Sequence, residues 1–202
     1  MEQRSNEWFN QRLGRFTASR ISDLLGVKGL GLTGDSYAFK LATEIVFGRE
    51  QDQLETWDMK RGNELEPVAF ELFQSLHEFE NIQESKFFPY GDNAGASPDG
   101  LVGLDAILEI KCPRSEKFFK LVAEGEKAID KAYIAQMQMQ MMCTNSEKAY
   151  FFNYIEYNGV PMHHEIIVER DEKMINLIKE RIEEATVIRD EYVQYLLNNK
   201  QF

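Results

Sequence analysis

The sequence predicts an α/β fold in which a central mixed β-sheet is flanked by helices. Three observations carry that reading. Apolar residues recur at helical spacing before about residue 79, again across 115–143, and from Asp171 to about residue 199. Extended segments cluster between those stretches at 84–90, 94–103 and 106–111, with a hairpin pattern at 149–168. The chain has 202 residues, 43% of them hydrophobic, and no repeat, low-complexity tract or linker divides it. Residues 1–202 are therefore expected to form a single domain.

A short helix is expected over Asn6–Leu13. Thr17-Ala18-Ser19 then precedes Ile21, Leu24 and Leu25, with Gly26 behind them, the pattern of a hydroxyl-capped helix with a glycine stop. Residues 28–34 are glycine-rich and read as a loop. Asp35 can cap the next helix, where Ala38, Leu41, Ala42, Ile45 and Val46 recur at helical spacing before Gly48. Residues 59 to about 79 read as a third helix with Leu65, Val68, Ala69, Leu72, Phe73 and Leu76 on one face. Pro67 either starts its regular part or kinks it. Segments 94–103 and 106–111 look like antiparallel neighbours joined near Gly103-Leu104-Asp105. Helical pattern returns at 115–124 and 128–143, the second with a methionine-rich run from Gln136 to Met142 that suits a buried helix. Asn158-Gly159 is a strong hairpin signal between Ala149–Glu156 and Val160–Val168. The last helix, about 171–199, keeps Met174, Ile178, Ile182, Ala185 and Ile188 in register.

The net charge is −11, from 23 Lys and Arg against 34 Asp and Glu. That balance argues against a broad, non-specific binder of nucleic acid. The acids are clustered, however, at Glu44–Glu55 and again at Glu180–Glu191, while Lys111, Arg114, Lys117 and Lys120 lie together. An acidic outer face can coexist with a small basic groove. No apolar run is long enough to cross a bilayer, and the N-terminal segment has no apolar core of the secretory kind. Cys112 and Cys143 make neither a disulfide framework nor metal-ligand spacing, as expected of reduced thiols in a cytoplasmic protein.

The chemistry concentrates in Ser97-Pro98-Asp99-Gly100 and Glu109-Ile110-Lys111, with nine residues between Asp99 and Glu109. Side chains at i and i+2 of a strand share a face, so Glu109 and Lys111 point the same way and Ile110 points into the core. Asp99, at the start of the partnering strand, can lie across from Glu109. Two carboxylates that close repel unless a cation sits between them. Hard oxygen ligands favour magnesium or manganese. Lys111 is then placed to orient or deprotonate a water, or to offset charge developing on a phosphate. One or two metals can support in-line hydrolysis of a phosphodiester. Glu66, on the helix opened by Arg61-Gly62, is either a third carboxylate of this site or an ordinary helix acid. Pro-Asp-Gly alone is a common turn and Glu-x-Lys alone a common ion pair; the combination at this spacing points to a nuclease-like site. Thr17 and Ser19 at a helix N-terminus, with Arg12, form either an anion pocket or a plain cap beside a surface arginine. His163 and His164 alternate faces of a strand and do not easily ligate one metal. Cys112 is expected to face away from the acids.

Six features stand in order: Trp8-x3-Arg12-x-Gly14-x2-Thr17-Ala18-Ser19, Arg61-Gly62-x3-Glu66-Pro67, Ser97-Pro98-Asp99-Gly100-Leu101, Leu108-Glu109-Ile110-Lys111-Cys112-Pro113, Ala132-Tyr133-x2-Gln136-x-Gln138, and Val168-Glu169-Arg170-Asp171-Glu172. Together they resemble the PD-(D/E)xK nuclease superfamily and, more narrowly, the phage lambda exonuclease or YqaJ-type viral recombinase family, from about Trp8 to about Asp171. The resemblance implies a restriction-endonuclease-like core. It implies a metal-dependent 5′→3′ exonuclease that digests one strand of linear duplex DNA processively from a 5′-phosphorylated end. The product would be a 3′ single-stranded tail for a single-strand annealing partner. By the same resemblance Asp99, Glu109 and the Ile110 carbonyl hold two Mg²⁺ ions, or Mn²⁺ in their place, and Glu66 joins them directly or through water. Lys111 handles the attacking water and Gln136 assists. Arg12, Thr17, Ser19 and Ser97 form the 5′-phosphate pocket. The family's homotrimeric ring would turn a basic lining inward, in the bacterial cytoplasm, from a phage or prophage gene. Met59 is either an apolar wedge at the duplex end or a core methionine. The alternatives are a structure-specific or nicking endonuclease of the same superfamily, and a non-catalytic DNA-end-binding module.

Overall fold

The computed structural model describes residues 5–49, 56–77, 82–84 and 86–199, with 57–59 and 84 described by their backbone alone. The chain begins with α1 (Asn6–Arg12), the short strand β1 (Phe16–Thr17) and a 3₁₀ helix over Ala18–Leu24. Two long helices follow, α2 (Gly31–Phe47) and α3 (Trp57–Leu76). Five strands come next: β2 (Ile82–Glu84), β3 (Phe88–Tyr90), β4 (Ala94–Ala96), β5 (Gly100–Val102) and β6 (Ala106–Lys111). Helices α4 (Ser115–Glu124) and α5 (Lys131–Thr144) lead to the hairpin β7 (Lys148–Tyr157) and β8 (Val160–Glu169), and α6 (Glu172–Asn198) closes the chain.

Among the described residues the strands form two sheets. The larger runs β2-β5-β6-β7-β8 and is mixed, because β6 and β7 are parallel while every other neighbouring pair is antiparallel. The smaller runs β1-β4-β3. On one face of the large sheet, Ala69 and Phe73 of α3 pack against Leu108, Ile110 and Phe152. On the other, Leu121 of α4 and Met137 and Met141 of α5 pack against Ile107, Phe151 and Val168. A third cluster joins α2, α5, the 3₁₀ helix and Ile175, Ile178, Ile182 and Ala185 of α6 beneath the small sheet. The α/β class, the mixed sheet and its flanking helices are as the periodicity predicts.

Local differences have local causes. Segment 94–103 is not one strand. It leaves the small sheet at Ala96 and enters the large one at Gly100, because Pro98 has no N–H to donate to a ladder. Segment 84–90 is likewise divided between β2 and β3. The Thr17–Gly26 helix is 3₁₀, and Thr17 makes no side-chain cap. Its Oγ1 turns instead to the Tyr37 hydroxyl at 3.3 Å. Helix α2 starts at Gly31, so Asp35 lies inside it and accepts from the Tyr192 hydroxyl at 3.0 Å. Gly34 packs there at close range, since a Cβ would stand 2.8 Å from the Leu30 Cβ. Helix α3 runs unbroken through Pro67 to Leu76. The hairpin turn is as expected, with Asn158 and Gly159 both at positive φ (52° and 77°).

Candidate active site

The central strand β6 is buried along Ala106–Ile110, and Glu109 is the one charged side chain within that run, only 1% exposed. A carboxylate at such a position needs compensation. Lys111, two residues on and on the same face, pairs its Nζ with Glu109 Oε1. Gln136 Nε2 donates to the same oxygen at 2.6 Å. Gln140 Nε2 donates to Oε2 at 2.5 Å. The two glutamines stand one helical turn apart on α5, which places both amides over the strand. Burial works against the charge on Lys111, but the Glu109 and Asp99 carboxylates outweigh it and push the amine above the usual lysine range. Its Nζ also lies 5.0 Å over the Tyr133 ring.

Asp99 reaches the same strand from the link between the two sheets. Its N–H donates to the Leu108 carbonyl at 2.9 Å, and its Oδ2 accepts from the Ile110 N–H at 2.7 Å. Strand β5 pairs with β6 only as far as Leu108, so the edge beyond it is open on that side. A strand residue's N–H and C=O leave on the same side, so the Ile110 carbonyl is directed to the edge where Asp99 sits. Burial first, then the charge of Glu109, holds the Asp99 carboxyl well above the usual range; Glu66 adds to this, while Lys111 and the Ile110 N–H oppose it. Glu66 is half-buried on α3. Arg61 ties that helix to the loop after β6, donating to the Cys112 and Pro113 carbonyls at 2.9 and 3.2 Å. Cys112 packs on the opposite, α3 side of the sheet, where burial pushes its thiol up to about 12.

This donor set fits a hard divalent cation. It consists of carboxylate and carbonyl oxygens, and two of its carboxylates repel each other in a partly buried setting that a cation would relieve. Among the described residues no three His, Cys, Asp or Glu side chains group as a complete metal site. A cation held here would draw on a main-chain oxygen or water besides the carboxylates.

The predicted anion pocket lies next to these acids. Ser97, two residues before Asp99, accepts on its Oγ from Trp8 Nε1 at 3.1 Å and from Arg12 Nη1 at 3.4 Å. The Arg12 guanidinium lies 4.0 Å over the Trp8 ring. Burial, with Arg49 nearby, lowers it to about 10, so it remains charged at neutral pH, and among the described residues no carboxylate pairs with it. Thr17 is buried, with its N–H donating to the Tyr37 hydroxyl at 3.0 Å and its Oγ1 3.5 Å from Ser19 Oγ. Ser19 is exposed. The helix they begin is a single 3₁₀ element of seven residues, so arginines rather than a long helix dipole supply the positive field.

Arg12, Thr17, Ser19, Glu66, Ile110 and Lys111 all line one groove of about 1400 Å³. Ten of the chain's 23 lysines and arginines line it, against four of its 34 acids. The sequence-level paradox of an acidic chain beside a basic motif is thus a matter of segregation. The side chain of Met59 lies outside the described residues.

Residues 7–147 match the family of the YqaJ-like viral recombinase domain. The chain belongs to that family. An alkaline exonuclease from Laribacter hongkongensis is 30% identical, with 96% of this chain and 97% of that one covered and a TM-score of 0.85. The same exonuclease in complex with dAMP matches at 30% identity over 95% and 96%, TM-score 0.84. A phage-related exonuclease from Haemophilus somnus 129PT shares the fold at 18% identity, 90% and 96% coverage and TM-score 0.73. No curated protein matches the chain. The fold is that of the PD-(D/E)xK nucleases.

The YqaJ-like match contains every acid, amide and cation described above. It stops before Val168–Glu172, whose role here is structural: Arg170 donates to the Met141 and Ser146 carbonyls at 2.9 Å, and Asp171 caps α6. Gln138 serves the same junction, donating to the Glu169 carbonyl and accepting from the Asp171 N–H. Sequence reasoning passed over Gln140 and Tyr37. Gln140 carried a signal, since it stands four residues after Gln136 and so shares its helix face.

Proposed function

We propose that this YqaJ-like domain is a metal-dependent 5′→3′ exonuclease on linear double-stranded DNA with a 5′-phosphorylated end. One observation carries the reading: Glu109, Lys111 and Asp99 meet at a strand edge beside a cation-lined groove. The 30% identical alkaline exonuclease, one form of which holds dAMP, supports a mononucleotide product. Asp99, Glu109, the Ile110 carbonyl and Glu66 would hold Mg²⁺ or Mn²⁺. Such ions, when bound, activate water and neutralise the phosphate oxygens. Lys111 supplies a fixed positive charge next to Glu109, where it orients the attacking water and offsets charge on the scissile phosphate. Gln136 keeps the shared Glu109 oxygen in place. Arg12, with Thr17, Ser19 and the Ser97 loop, binds the terminal 5′-phosphate and so sets the register of the first phosphodiester against the acids.

The reading extends to a homotrimeric ring that turns the grooves inward and the acidic helix faces outward, and to a single-strand annealing protein that takes the 3′ tail. The segregation of charge supports this arrangement. The test uses linear 5′-phosphorylated duplex and covalently closed circular duplex, each with Mg²⁺. Mononucleotides released from the linear DNA alone are the expected result. Cutting of the circle would favour the endonuclease, and release from neither would leave only end binding.

A further inference from the structure

We infer that Gln140 is a positioning residue that holds Glu109 and the Asp99-bearing loop in mutual register. The inference rests on the nuclease reading of the Glu109 site. Gln140 is fully buried in the middle of α5, where Met137, Met139, Met141 and Met142 are buried around it. Packing alone would accept another methionine at that position. The amide instead donates to Glu109 Oε2 at 2.5 Å, the oxygen that neither Lys111 nor Gln136 engages. It also reaches the Ser97 carbonyl at 3.5 Å, in the loop that carries Asp99.

The other end of the amide shows which contact matters. Gln140 Oε1 is buried and has no hydrogen-bond partner among the described residues. An unpartnered buried acceptor is costly. The reversed amide would set that oxygen against the Glu109 carboxylate, which is worse. The site therefore tolerates one unsatisfied acceptor in order to give Glu109 a donor on its second oxygen. With Gln136 and Lys111 on Oε1, this fixes the rotation of the carboxylate about its last bond. A ligand carboxylate held this way is pre-oriented for a cation, the usual office of an outer-shell partner.

The test is Gln140→Met in two backgrounds, the natural chain and Glu109→Gln. The natural chain is first shown to bind Mn²⁺ by calorimetry and to release nucleotides. Gln140→Met is then expected to weaken Mn²⁺ binding and lower kcat by about 10- to 100-fold, with KM for duplex DNA unchanged. Thermal melting without metal supplies the second readout. The loss of melting temperature caused by Gln140→Met should shrink by more than half in the Glu109→Gln background, where no buried carboxylate needs the amide. Equal losses in both backgrounds, or unchanged Mn²⁺ affinity, would overturn the assignment. If Gln140→Met folds only in the Glu109→Gln background, the inference stands; if it folds in neither, Gln140 is a packing residue and the inference fails. A natural chain that neither binds Mn²⁺ nor cuts DNA would sink the nuclease reading, while the metal-free melting comparison would still judge the Gln140–Glu109 link.

Discussion

Asp99→Asn should make the metal-free protein more stable and destroy its activity. The structure sets the direction. Asp99 is partly buried, and burial together with Glu109 and Glu66 opposes its charged form. As an order of magnitude for neighbouring carboxylates, two like charges at a separation of about 5 Å and an effective dielectric near 20 would repel by about 3 kcal/mol. Lys111 returns part of that, leaving about 1–2 kcal/mol to be gained by neutralisation. Asparagine keeps the shape, and its Oδ1 can still accept from the Ile110 N–H that Asp99 Oδ2 now binds at 2.7 Å. For a chain of this size each kcal/mol moves Tm by about 2–4 °C, so the variant should melt about 2–8 °C higher without metal. Added Mg²⁺ should raise the Tm of the natural chain and leave the variant nearly unmoved, because only the former gains a cation that binds the folded state. Differential scanning calorimetry with and without Mg²⁺, alongside nucleotide release, reads all three. A variant that melts lower without metal, or still releases nucleotides at the natural rate, would refute the claim that Asp99 is strained in order to bind a cation.

Three further outcomes follow from the same geometry. Lys111→Ala should lower nucleotide release by about 10²–10⁴-fold with its circular dichroism spectrum unchanged; a retained rate would remove Lys111 from the chemistry. Arg12→Ala should reduce the preference for 5′-phosphate over 5′-hydroxyl ends by about 10- to 150-fold, the equivalent of about 1.5–3 kcal/mol for one charge-assisted hydrogen bond, measured as the ratio of kcat/KM on the two duplexes. Cys143, whose thiol burial pushes up to about 12, should resist iodoacetamide at pH 8 in the folded protein and label readily in denaturant.

Much of this was legible in the residues because strand geometry is strict. A period of two put Glu109 and Lys111 on one face and Ile110 on the other, and the structure keeps that division. The antiparallel approach of Asp99 followed from a proline–aspartate link ahead of a strand. Helix ends were less legible. Asp35 has the chemistry of a cap, but tertiary contact with Tyr192 claims it and the helix starts earlier. Thr17 likewise gives its hydroxyl to Tyr37, a partner twenty residues away that local pattern cannot reveal. The break of 94–103 between two sheets depends on which strands lie alongside, which is information that no single segment contains. The spacing of Gln140 from Gln136 marks a shared helix face, but a run of buried methionines does not say that this face lies over Glu109, which only the packing of α5 on β6 supplies.

The most direct test of the central claim is a crystal soaked in Mn²⁺ and measured for anomalous scattering. The account predicts manganese peaks between Asp99, Glu109 and the Ile110 carbonyl, with Lys111 drawn back from the Glu109 oxygen it shares with Gln136. Peaks confined to other acids, or none at all with those carboxylates unchanged, would contradict it.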